Sequence, residues 1–256
     1  MTHDIKAAVR RQFDPVAARY STSAVHARGA DLAALVEAAQ LTGREHILDA
    51  GCGTGHTALA LATQGVSVVA VDLTAAMLEQ GRRLAAERGI TGVDFRLGDV
   101  EQLPFASSEF DLVVSRYSAH HWPHPQRALA EFRRVLRPGG TLLLADIVSF
   151  DAFVLDTFLQ TIELLRDPSH VRDHTVDQWL TMCAAAGFTA EVVFTWDVRL
   201  DFADWLARMQ TPSHHSAAIE SLFDSAPAET QAAFKLEAGH SFTLTGALIR
   251  GRVDSL

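Results

Sequence analysis

Cysteine is scarce in this chain: its 256 residues include only Cys52 and Cys183. Two cysteines cannot make a disulfide framework, and such sparing use suits a reducing compartment. Cations are also short, with 22 Lys and Arg against 31 Asp and Glu and a formal net charge of -9. A partner held by phosphate neutralisation needs clustered Lys and Arg, so no nucleic acid is expected. No apolar run approaches the length of a membrane span, and Met1-Thr2-His3-Asp4 lacks the basic-then-apolar order of an export signal. The expectation is a soluble, cytoplasmic protein with no membrane partner. Metal ligands are few as well. His170 and His174 are four residues apart, but Pro168 interrupts a helix there, and His214-His215 stand alone. No compact set of three ligands is spaced like a site, so no metal is expected. Internal repeats, low-complexity tracts and flexible linkers are absent too. Hydrophobic residues, at 48%, are plentiful enough to fill one domain plus a cap.

The densest information lies in residues 47–55, Ile-Leu-Asp-Ala-Gly-Cys-Gly-Thr-Gly. An apolar strand there runs through an acid into a glycine-dense turn, where missing Cβ atoms let a ligand approach the backbone. The run from His56 to Thr63 is helix-forming, and its unpaired N-terminal amides favour an anion such as a carboxylate or phosphate. Val66 to Val71 ends in Asp72, about 20 residues past the loop, where an acid can accept from both hydroxyls of a ribose. Phe95-Arg96-Leu97-Gly98-Asp99-Val100 delivers another acid at a strand end. Open α/β sheets bind ligands beyond the carboxyl ends of their strands, so these three edges converge on one crevice.

Periodicity organises the rest. Strands are expected at 46–50, 67–71, 93–97, 111–115 and 141–146, with helices at 56–63, 74–88 and 125–136. Such alternation means an α/β fold, a doubly wound parallel sheet with helices on both faces. Arg137-Pro138-Gly139-Gly140 signals a turn before the fifth strand. Two helices, 4–20 and 25–41, precede the sheet, and residues 1–41 are expected to form a helical lid over a core spanning 45–146. An apolar stripe from Phe153 to Leu165 opens a helical cap. A helix over 176–186 ends at Gly187, and strands are expected at 191–196 and 242–250, with helical insertions over 202–237. The cap insertions are placed at 147–186 and 198–240 of a single domain, 1–256. Trp196, Phe202 and Trp205 are expected in its core.

In sequence order, Leu48-Asp49-Ala50-Gly51-Cys52-Gly53-Thr54-Gly55, Asp72, Gly98-Asp99-Val100-Glu101, Phe110 to Ser115 and Val135 to Thr141 resemble the motifs of the class I S-adenosylmethionine-dependent methyltransferases. The likeness is clear over residues 45–146. It extends more weakly into the N-terminal helices as the ubiquinone/menaquinone-methyltransferase-like branch, methyltransferase type 11. The resemblance implies a Rossmann-like seven-stranded sheet, often with its last strand reversed, and S-adenosylmethionine as cofactor. It also implies cofactor contacts at Tyr20, Asp49, Gly51, Gly53, Gly55, Asp72, Leu73, Asp99, Val100 and Ser115. A nicotinamide dinucleotide is the rival ligand, but its second phosphate needs Gly-x-Gly-x-x-Gly, whereas this loop reads Gly-x-Gly-x-Gly. Cys52 is expected to be a small packed residue, and two cysteines are too few for an arsenite-binding methyltransferase.

A sulfonium methyl is already electrophilic, so the protein must position a nucleophile, exclude water and, for a hydroxyl, remove a proton. Ser118-Ala119-His120-His121-Trp122 follows the fourth strand and Asp146 ends the fifth. A carboxylate beside an imidazole fixes its tautomer, which makes His120, His121 and Asp146 the catalytic candidates. Adjacent loop residues point different ways, so one histidine is expected to act, with His121 slightly favoured. The arrangement resembles small-molecule O-methyltransferases of natural-product pathways and implies O-methylation of a secondary metabolite or phenolic acceptor. Carbon methylation of a quinone-like ring and a non-catalytic S-adenosylmethionine-binding module are the alternatives. Arg166, His170 and Arg172 contact a polar acceptor or pair on the surface, and the chain is a monomer or homodimer; spacing decides neither.

Overall fold

The computed structural model describes residues 4–21, 27 and 29–254. Seven strands form one sheet: β1 (His46–Ala50), β2 (Ser67–Asp72), β3 (Val93–Leu97), β4 (Phe110–Arg116), β5 (Leu136–Ile147), β6 (Thr189–Leu200) and β7 (Phe242–Arg252). Their spatial order is β3-β2-β1-β4-β5-β7-β6. The first five pair in parallel, while β7 runs antiparallel to both β5 and β6, in agreement with the reversed last strand. Because side chains alternate across a strand, Leu48, Ala50, Val69, Val71, Val113, Leu142 and Leu144 enter one core layer. Their neighbours Ile47, Val68, Ala70, Leu112, Val114, Leu143 and Ala145 enter the other.

The N-terminal segment holds α1 (Ile5–Phe13), a 3-10 turn (Asp14–Val16) and α2 (Ala17–Ser21), followed by α3 (Ala30–Ala38). Of the helix expected over 25–41, residues 25, 26 and 28 lie outside the described residues. The crossover helices α4 (His56–Ala62), α5 (Ala75–Glu87) and α6 (Pro125–Val135) fall within a residue of expectation. Strand β5 begins earlier than expected. Leu136 pairs with Phe110, residues 137–140 loop out, and Thr141 resumes the ladder opposite Leu112. The Pro-Gly-Gly turn is therefore a bulge inside a strand.

The cap comprises α7 (Phe153–Arg166), α9 (Phe202–Met209), α10 (Ser213–Asp224) and α11 (Ala228–Ala233). Leu155, Leu159, Trp205, Phe223 and Phe234 gather there against Val198, Leu200, Phe242 and Leu244 from the near ends of β6 and β7. Helix α8 (Val176–Ala185), counted above with the cap, packs on the sheet instead. Its Trp179, Met182 and Cys183 join the core layer of Leu142, Leu144 and Phe132. Its capping box, Thr175 with Gln178, starts it independently of α7. Among the described residues, no helix is long and apolar enough to cross a membrane.

Candidate active site

The carboxyl ends of β1, β2 and β4 and the loop after β3 open into a cleft of about 930 Å³, closed from above by Lys6, Phe13 and Tyr20. Its floor is the glycine loop. Gly51 adopts φ +73°, and a Cβ there would stand 2.0 Å from Ser118 Oγ. At Gly55, φ is +79° and a Cβ would strike the Phe95 ring at 2.6 Å. Both positions therefore require glycine, on conformational and steric grounds. Gly53 differs, since a Cβ would meet nothing within 4 Å; its side of the loop is open to the cleft.

Of the residues expected to hold a cofactor, Tyr20, Gly51, Gly53, Asp72, Leu73, Asp99 and Val100 line this cleft, whereas Asp49, Gly55 and Ser115 do not. Asp49 is 1% exposed and accepts from the Ala58 N–H at 2.9 Å, so it anchors the start of α4 from beneath. Burial pushes its carboxyl up to about 7, against that hydrogen bond and Arg116. Ser115 is fully buried and its hydroxyl has no partner among the described residues. Asp72 receives the Gly53 and Thr74 amides, each at 2.8 Å, and still lines the cleft. Asp99 accepts from Lys6 Nζ at 2.7 Å, and Lys6 also reaches Glu101 at 2.7 Å, which ties α1 across the cleft.

A second cavity, of about 620 Å³, shares Phe13, Tyr20, Tyr117 and His121 with the first. Its own walls include His120, Glu163, Arg166, Asp173 and Arg208, with Ile147, Val198, Leu200 and Leu244. The 3-10 turn Ala119–His121 presents the histidines. His120 Nδ1 lies 2.8 Å from Asp146 Oδ1, while the Ala119, His120 and Ile147 amides complete the carboxylate's shell. Burial opposes the imidazolium, but the charge and hydrogen bond of Asp146 outweigh it and lift His120 to about 9. Burial opposes the carboxylate likewise, yet His120 holds Asp146 below its ordinary value.

His121, the slightly favoured histidine, turns away from Asp146. Its Nδ1–H donates to the Ser169 carbonyl at 3.0 Å and its ring meets Phe13 edge-on. Burial and the neighbouring His120 hold it well below the usual imidazole value. The cause is the 169–172 loop, whose Val171 and Arg172 amides bind the His120 carbonyl and fix which ring faces which way.

His170, also buried, stacks on His120 and donates to Gln160 Oε1 at 3.0 Å. Arg172 pairs with Asp156 at 2.6 Å and lines neither cavity, whereas Arg166 lines the second. His120, Asp146 and Asp173 bring one ligand atom each within 4.8 Å of one another. That cluster joins three distant segments, so sequence spacing did not show it.

Lys6, Arg116 and Tyr117 also line the cleft without having been picked out from sequence. Tyr117 carried no compositional signal; it adopts φ +52° at the end of β4 and accepts from Trp196 Nε1 at 3.0 Å. That left-handed backbone is strained for a tyrosine, and the residue stands at the rim that both cavities share.

Comparison with known proteins agrees with this fold. Residues 48–144 match the family described as Methyltransferase domain. The chain is 33% identical over 244 residues to the uncharacterized methyltransferase YcgJ of Bacillus subtilis, covering 93% of this chain and 96% of that one. Its crystal structure superposes with a TM-score of 0.84 at 32% identity, over 88% of this chain and 99% of that one. A putative methyltransferase from Bacillus halodurans gives a TM-score of 0.84 at 36% identity, covering 89% and 100%. The demethylmenaquinone methyltransferase of Renibacterium salmoninarum is 30% identical over 203 residues, or 78% of this chain and 81% of the relative. With fold, loop and relatives in accord, this chain belongs to the class I S-adenosylmethionine-dependent methyltransferases.

Proposed function

We propose that this enzyme methylates an oxygen of a small hydroxylated acceptor held in the second cavity, with His120 and Asp146 removing the hydroxyl proton. The observation that carries the reading is the 2.8 Å His120–Asp146 contact at the wall of a cavity that shares four side chains with the cofactor cleft. S-adenosylmethionine supplies an electrophilic methyl group on a sulfonium. The open face of Gly53 and the acids Asp72, Asp99 and Glu101 suit that cationic cofactor, and Tyr20 and Phe13 cover it. Asp146 receives the Nδ1–H of neutral His120, which leaves Nε2 to take the acceptor's proton. No metal is invoked, because hydrogen-bond donors already occupy both Asp146 oxygens.

A base must be neutral to act, so kcat/KM for an acceptor found by donor consumption should rise with pH through about 9. Asp146→Asn removes the main support of the His120 imidazolium against burial, which should shift the rising limb to lower pH while lowering the plateau. A limb at the same pH in both proteins would remove the dyad from the reaction. The demethylmenaquinone relative favours a second reading, methylation of a quinone-like ring carbon. NMR of the product separates them, since a new methoxyl and a new ring methyl differ in carbon chemical shift.

A further inference from the structure

The second cavity holds more charge than a proton transfer requires, and nearly all of it is answered internally. Arg166 donates from Nη1 to Glu163 at 3.2 Å and from Nε to the Trp205 carbonyl at 3.1 Å, and its guanidinium lies 4.9 Å over the Trp205 ring. His120 is paired with Asp146. Asp173 is 3% exposed, and burial beside Glu163 and Asp146 pushes its carboxyl well above the usual carboxylate value despite His120. Asp167, behind His121, receives the Ser169 N–H at 2.8 Å and O–H at 2.7 Å.

Arg208 is the exception. It projects from α9 into the same cavity. It makes no hydrogen bond or ion pair among the described residues, and its Nε is buried without a partner. Burial and the neighbouring Arg166 both disfavour its charge. A partly buried guanidinium without a paired counter-ion is costly, and Glu163 and Asp204, which favour its charge from a distance, do not pair with it. A ligand anion would.

We propose that Arg208 binds a carboxylate of the acceptor, so that the methyl acceptor is a hydroxylated carboxylic acid. Its acid group sits at α9 and its reacting oxygen at the His120–His121 wall. The inference rests on the methyl-transfer reading above and names its substrate class. A planar guanidinium matches a carboxylate in fork geometry. One unanswered positive charge calls for one negative charge; a dianion would be repelled by Glu163, which lines the same space. Ile147, Val198, Leu200 and Leu244 give the carbon skeleton an apolar bed.

The test uses the full chain saturated with S-adenosylhomocysteine, titrated calorimetrically with benzoate and, as its neutral match, benzamide. Benzoate should bind saturably and more tightly than benzamide. Arg208→Met, which keeps much of the stem's packing, should weaken benzoate about ten- to a hundredfold, to the level of benzamide, and Arg208→Lys should fall between. Without ligands, Arg208→Met should melt no lower than the parent, because it removes an unanswered cation. Benzoate binding no tighter than benzamide, undetectable in the parent or unchanged in Arg208→Met would overturn the proposal, as would a lowered melting temperature in that variant. Failure to bind S-adenosylhomocysteine at all would count against the methyl-transfer reading itself, which keeps the two failures distinct.

Discussion

The cofactor cleft takes its floor from short contiguous stretches, Gly51 to Thr54, Asp72 to Leu73 and Gly98 to Glu101, each just past a parallel strand. The second cavity beside it takes one or two side chains each from α1, α2, α7, α9, β6 and β7. The floor of the first follows from local sequence. The second exists only after the cap has folded onto the sheet. The contrast predicts a division of labour: changes in the cleft should act on cofactor affinity, and changes in the cavity on turnover.

The largest effect should come from His120→Ala. Loss of the proposed proton acceptor should cut single-turnover methyl transfer about 10²- to 10⁴-fold. Affinity for S-adenosylhomocysteine should stay within a few-fold, because His120 lines only the second cavity. His121 faces both cavities, so His121→Ala should disturb binding and turnover together. Calorimetry alongside quenched-flow turnover would check both. Equal losses of affinity in the two variants would dissolve the proposed division.

The same contrast governs what could be read in the sequence. Strands β1 to β4 were placed to within a residue at each end because their apolar runs stop at glycines and acids that local chemistry requires. Strand β6 was expected only over 191–196 but runs from Thr189 to Leu200. Its ladder slips between Val192 and Phe194, so its alternation breaks in mid-strand. The neighbourhood of Asp146 and the His-His pair was legible because both follow adjacent strand ends. Which histidine meets Asp146 was not, since Ser169 and Val171, about fifty residues away in sequence, orient the turn. Arg208 was invisible for the same reason: an arginine lacks a partner only relative to a fold.

On the cofactor side, Asp72→Ala should weaken S-adenosylmethionine about ten- to a hundredfold. The variant removes the proposed ribose acceptor and also releases the Gly53 and Thr74 amides, each held at 2.8 Å. Asp72→Asn retains an acceptor for one amide and should lose less. Parental affinity in Asp72→Ala would take that carboxylate out of the cofactor's contacts.

The smallest effect separates the cleft from what supports it. Asp49 belongs to the glycine-loop motif, yet it lines neither cavity, and among the described residues its side chain bonds only the Ala58 amide. Its folded value of about 7 lies above the ordinary 3.8, so it binds a proton more tightly folded than unfolded. Its favourable share of stability is therefore complete below about pH 3.8 and lost as pH rises to about 7. Above that, the native state carries a buried carboxylate. Asn keeps an acceptor for Ala58 and cannot ionise. Asp49→Asn should therefore match the parent near pH 4 and gain on the order of 1–2 kcal/mol by pH 8, with cofactor affinity little changed. Denaturant melts across that range, with calorimetric titration at pH 8, would decide the matter. A large loss of affinity without the pH-dependent gain would show Asp49 acting on the cofactor as a charge, making the glycine loop and the acid beneath it one binding unit.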